Sequence, residues 1–175
     1  MDTGKMKNRW IALYVENQVG VLAKVSGLFS GKAYNLKSLA VGTTEDDDVS
    51  RMTISTMCND ITFEQIKKQL NRMVEVIKVI DLTDLPVHMK ELMYAKVKKL
   101  DYQQKDEVLR IAEVFSSGGY FVKPIDIGED SILLECMLPE RRNNELIKLL
   151  KKQFAALEVV RGGSVAVESI STSCR

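Results

Sequence analysis

The residues best placed to do chemistry lie in one short run, Val15-Glu16-Asn17-Gln18-Val19-Gly20-Val21-Leu22, and in Tyr34-Asn35 just downstream. An alternating apolar stretch gives way to a loop at Asn17, and helical spacing begins at Val21. A loop that opens directly onto a helix presents unpaired backbone N–H groups and the positive end of the helix dipole, which suits a carboxylate or a phosphate. In that reading the N–H groups of Gly20 and Val21 hold the carboxylate, while the side-chain amides of Asn17 and Asn35 orient polar atoms of a small ligand. A plainer reading is also open: Asn17 caps the helix, Gly20 relaxes the backbone and Asn35 supplies a turn. No nucleophile or acid–base pair accompanies the run, so its chemistry is that of binding rather than turnover.

Other candidate chemistry is weaker. His88 is the only histidine, which excludes multi-histidine metal sites and HExxH. The sequence carries no GxGxxG, no GxxxxGK[ST] and no GxSxG. Glu45-Asp46-Asp47-Asp48 lacks the EF-hand spacing and reads as a solvated hairpin tip. Cys58, Cys136 and Cys174 are odd in number and widely spaced, which fits a reducing cytosol better than a disulfide framework. Cys58 and Cys136 read as small buried strand residues. Gly27 and Gly31 form a GxxxG on an amphipathic helix and read as close helix-to-sheet packing or a helix end.

The chain that must position these groups has 175 residues, 45% of them hydrophobic, and a net charge of +1. That length suits one domain or two small ones, and that charge gives no electrostatic case for nucleic acid. Its apolar runs are shorter than the ~18 residues of a membrane helix, and MDTGKMKNRW has no apolar signal region. The expectation is a cytoplasmic protein that binds neither membrane nor nucleic acid.

The elements read as follows. Residues 9–16 alternate as a strand, with Ile11, Leu13 and Val15 on one face; Val21, Leu22, Val25, Leu28 and Phe29 then recur at helical spacing. Strands are expected at 36–43 and 49–57, a helix beginning with a capping box at Thr62 and Gln65, and a strand at 74–82. The order then begins again, with a strand at 88–98, a helix at 106–115 stopped by Gly118-Gly119, a hairpin of 120–127 and 131–138, and a helix opened by Pro139. Two short strands, 158–161 and 164–168, close it around Gly162-Gly163. The fold class is α+β, two tandem ferredoxin-like βαββαβ units, in which helices cover one sheet face and the other face must meet a partner, a second domain or water.

The segment VENQVGVLAKVSGLFSGKAYNLKSLAVGTTE, followed by SRMTIS, resembles the N-terminal ACT domain of the regulatory (small) subunit of acetohydroxyacid synthase, or acetolactate synthase. The family pattern is V-E-N-x-P-G-V-L-x-R-V-x-G-L-F-S-x-R-G-Y-N-I-x-S-L-x-V, then S-R-M-T. HMKELMYAKVKK, IAEVFSSGGYFV and VVRGGSVAV resemble the family's C-terminal domain. The resemblance implies an ACT regulatory domain at 8–83, a connector at 84–87 and the family's ferredoxin-like C-terminal domain at 88–175. It implies a chain with no active site, which activates a catalytic subunit holding thiamine diphosphate, FAD and magnesium and confers feedback inhibition by valine, and in some members by leucine or isoleucine. It further implies a homodimer whose ACT sheets join across two chains, with the effector at that interface. Matched positions make Asn17, Gly20, Val21, Leu22 and Asn35 the effector contacts, with Leu36 and Gly42 as weaker candidates. Val19 stands in place of the usual proline, Ala33 in place of the usual glycine before Tyr-Asn, and the C-terminal segment lacks an arginine that often follows it. The alternatives are a stand-alone amino-acid sensor with no synthase partner and, more remotely, a small ferredoxin-fold enzyme.

Overall fold

The structure, a computed structural model, describes residues 4–170. Its first half runs β1 (Lys7–Glu16), α1 (Val21–Gly31), β2 (Leu36–Thr43), β3 (Val49–Cys58), α2 (Asp60–Leu70) and β4 (Val76–Asp81). Its second half runs β5 (Val87–Lys98), α3 (Tyr102–Ser116), β6 (Phe121–Ile127), β7 (Ser131–Leu138), α4 (Glu140–Gln153) and β8 (Ala156–Glu168). The βαββαβ order therefore occurs twice, in four-stranded antiparallel sheets ordered β2-β3-β1-β4 and β6-β7-β5-β8. By contacts the chain forms two compact units: Met89–Ser164 is one, and the chain up to His88 together with the chain from Val165 onward is the other.

Strand alternation and helix periodicity build each core. In the first unit Ile11, Leu13 and Val15 of β1 and Met52 and Ile54 of β3 meet Val21, Val25 and Phe29 of α1 and Phe63, Ile66 and Leu70 of α2. In the second, Met93, Ala95 and Val97 of β5 and Ile132, Leu134 and Leu138 of β7 meet Val108, Ile111 and Ala112 of α3 and Leu146 and Leu150 of α4. Cys58 and Cys136 are buried on strands; burial pushes both thiols up, that of Cys136 to about 12, so neither is a ready nucleophile. Cys174 lies outside the described residues.

Four local expectations need correction. Helix α2 begins at Asp60, because the Asn59 side chain accepts the Thr62 N–H; Thr62 is inside the helix and is not its cap. Helix α3 begins at Tyr102, four residues before the apolar stripe reveals it, because Asp101 and Gln104 form a capping box. Strand β8 is continuous through Gly162-Gly163: Gly163 takes φ 81°, open to glycine, within the strand and does not end it. Gly27 packs closely against nothing, since an added Cβ would meet no atom within 4 Å, whereas Gly31 is the last residue of α1.

Candidate functional site

The loop between β1 and α1 takes the form of an open helix start. Gly20 is the N-cap residue at φ 89° and ψ −11°, a left-handed conformation that glycine adopts without steric cost. It offers no side chain to the helix, and the first turn of α1 holds no acid. None of the hydrogen bonds among the described residues uses the N–H of Gly20, Leu22 or Ala23. The Val21 N–H departs from expectation: it reaches the Gln18 carbonyl at 3.3 Å, and the Val21 side chain points into the core. Val19 and Leu22 stand exposed on either side of Gly20.

Asn17 does not cap α1. Its Nδ2 donates to the Asp47 carbonyl at 2.8 Å, its Oδ1 accepts from Ser50 Oγ at 2.9 Å, and its backbone N–H donates to the Asp48 carbonyl at 2.7 Å. The acidic hairpin tip is therefore more than a solvated loop, because its backbone carbonyls fasten the β1–α1 loop. Ser50 and Asp47 escaped the sequence reading; Ser50 begins the S-R-M-T motif, which is the signal that could have drawn attention to it.

At the far end of α1 the chain turns through a Schellman motif. The Tyr34 N–H donates to the Phe29 carbonyl at 2.9 Å and the Ala33 N–H to the Ser30 carbonyl at 3.1 Å. Ala33 occupies the left-handed position at φ 54°, where glycine is usual, at a cost of about 1 kcal/mol. The Tyr34 and Phe29 rings, edge to face at 6.2 Å, supply the apolar contact of the motif. Asn35 follows with its side chain exposed, and its carbonyl accepts from Thr56 Oγ1 at 2.5 Å. Leu36, the first residue of β2, packs against the core. Gly42 lies near the other end of β2, opposite Arg51, and lines a cleft of about 200 Å³ with Ala40, Val41, Thr43, Arg51, Thr53 and Val165.

One chain thus brings Asn17, Gly20 and Leu22 to one end of α1 and leaves Asn35 and Leu36 at the other. The helix between them has 11 residues, about 16 Å at 1.5 Å per residue. A single small ligand cannot touch both ends of that helix within one chain.

The chain is similar to known proteins over nearly its whole length. Residues 11–78 match the family profile described as an AHAS small subunit-like ACT domain, and residues 90–170 match that of the small subunit of acetolactate synthase. The chain is 40% identical to the acetolactate synthase small subunit of Aquifex aeolicus over 94% of its own length and 82% of that protein's. It is 38% identical to the probable acetolactate synthase small subunit of Archaeoglobus fulgidus over 90% of its own length and 94% of that protein's. The crystal structure of the small subunit of acetolactate synthase from Thermotoga maritima superimposes with a TM-score of 0.81 at 29% identity, covering 95% of this chain and 99% of that one. The twice-repeated fold, the open helix start on its first half and these matches agree: the chain belongs to the acetolactate synthase small-subunit family and carries that family's ACT domain at its N-terminal end.

Proposed function

We propose that the chain is a non-catalytic regulatory subunit that activates a catalytic acetolactate synthase subunit and lowers its rate when a branched-chain amino acid binds. Valine is the first candidate, with leucine and isoleucine behind it. The observation that carries this reading is the start of α1. It has neither a side-chain cap nor a first-turn acid, whereas α2 and α3 are capped by Asn59 and Asp101 and α4 has Glu140 in its first turn. The amino acid's carboxylate supplies the missing acceptor for the Gly20, Leu22 and Ala23 N–H groups. The exposed side chains of Val19 and Leu22 offer apolar contact for its aliphatic part.

A homodimer completes the site in this reading. Strand β2 is a sheet edge of eight residues without proline, so its outward N–H and C=O groups are open to another strand. Two such edges side by side join the sheets of two chains, and Asn35 with Leu36 of one chain faces Asn17 and Gly20 of the other. Thiamine diphosphate, FAD and magnesium belong to the catalytic subunit in this reading, and both subunits work in the cytoplasm. Among the described residues no helix is long and apolar enough to cross a membrane.

The test is reconstitution. Purified chain added to the catalytic subunit should raise the rate of acetolactate formation, and millimolar valine should lower it again. An unchanged rate in both arms contradicts the reading.

A further inference from the structure

The loop that holds Asn17 and the strand that ends the chain are linked through two adjacent residues of β3. Ser50 is buried, and its hydroxyl donates to Asn17 at 2.9 Å. Arg51 follows it, and successive strand residues point to opposite faces. The Arg51 guanidinium lies over the Tyr14 ring, 4.9 Å from its centroid, and donates to the Tyr14 hydroxyl. One of its nitrogens also donates to the Ala166 carbonyl and to Glu168 Oε2, each at 3.0 Å. The segment it grips is pinned once more, where the Ser169 N–H donates to the Pro86 carbonyl at 2.9 Å. The Arg51 side chain is only 18% exposed and its Nε is buried without an acceptor, so the guanidinium has given up most of its water for these contacts. Burial pushes the Glu168 carboxyl up, but bonds from its own backbone and from Arg51 outweigh that and hold it below the usual carboxylate range.

We propose that Arg51 is the positioning residue through which occupancy of the loop from Asn17 to Val21 reaches the C-terminal end of β8. The proposal rests on the effector reading given above. A ligand seated on the loop bears on Asn17, Asn17 is bonded to Ser50, and Ser50 shares a peptide unit with Arg51. A small displacement of Ser50 therefore moves the guanidinium, whose contacts with Ala166 and Glu168 are made or lost together. The ligand shifts this balance to the extent that it favours the loop position in which the Arg51 contacts are made or lost.

The test uses the full chain reconstituted with the catalytic subunit, with valine as the probe. Arg51→Lys and Glu168→Gln should each raise the valine concentration for half-inhibition about tenfold, and the double variant should do no worse than the more affected single one. Calorimetric valine affinity of the chain alone should stay within about threefold of wild type, since neither residue touches the open helix start. Hydrogen exchange at the amides of 165–168 should respond to valine in wild type and lose that response in Glu168→Gln, a readout that mere stabilisation would not move. Should Arg51→Lys fail to fold, Glu168→Gln carries the test alone. Wild-type inhibition in a folded Glu168→Gln overturns the proposal. Absence of valine binding to the wild-type chain overturns the effector reading first, and is visible before any variant is made.

Discussion

Helices α1 and α3 hold the same place in two copies of one topology, yet their first turns are opposites. Helix α3 is closed by its own chain: the Asp101 carboxylate accepts the Gln104 N–H at 2.8 Å, and the Gln104 side chain accepts the Asp101 N–H at 3.0 Å. Helix α1 starts at a glycine and leaves the N–H groups of Gly20, Leu22 and Ala23 open, that of Val21 being used by Gln18. The edges differ in the same sense. Both edge strands shift register, β6 between Pro124 and Asp126 and β2 between Leu36 and Ser38, but only β6 carries a proline, which blunts it further against strand addition. The second unit closes its helix start from within, whereas the first leaves backbone N–H groups at the start of α1 without a partner in the chain. Fold alone does not make a binding site; the difference lies in which backbone groups the sequence declines to satisfy.

The largest effect should come from the second unit's internal chemistry. Glu91 is buried, and Arg161 grips it with Nε at 2.9 Å and a second nitrogen at 2.5 Å, while Asn143 Nδ2 donates to it at 3.0 Å. Hydrogen bonding to Glu91 pushes the Arg161 guanidinium up from its already high value. Arg161→Met leaves a carboxylate buried without its cation and should cost about 2–3 kcal/mol in urea unfolding, with the valine response of the surviving fold unchanged.

Gly20→Asp gives α1 the carboxylate that α3 already owns, at a left-handed position that aspartate tolerates better than most residues. Valine affinity should fall at least about tenfold by calorimetry, because the protein's own anion competes for the same N–H groups. Affinity within twofold of wild type would break the contrast between the two helix starts. The reverse change, Asp101→Ala, opens α3 and should cost about 1 kcal/mol of stability without creating a valine site there. The smallest change is Ala33→Gly, which relieves the left-handed alanine. It should stabilise the first unit by about 0.5 kcal/mol in thermal melts, the relief being partly offset by glycine's greater unfolded-state entropy.

Much of this was legible in the residues. The alternation of Ile11, Leu13 and Val15 and the spacing of Val21, Val25 and Phe29 carry short-range information, and the repeated βαββαβ order follows from it. The glycines at 118 and 119 do take positive φ where α3 ends. The start of α3 was hidden because Tyr102 and Gln103 are exposed and add nothing to an apolar stripe; the D-x-x-Q of its capping box was the available sign. Asn17 misled because asparagine before a helix is an ordinary cap. Its real partners, Asp47 and Ser50, lie 30 and 33 residues away and are brought to it only by the pairing of β1 with β3. Arg51 was hidden for the same reason, since its contact with Glu168 spans 117 residues. The open N–H groups themselves were foreseen at Gly20; at Val21 the expectation failed, because a turn bond to Gln18 uses that donor.

In the function proposed above, the start of α1 is kept open for the carboxylate of a branched-chain amino acid. Titration of valine into the purified wild-type chain, followed by calorimetry, tests it most directly. Saturable binding that Gly20→Asp abolishes and Asp101→Ala leaves intact is the predicted result. No heat and no rise in melting temperature at millimolar valine, leucine or isoleucine would contradict it, because a ligand that binds the native state must raise apparent stability.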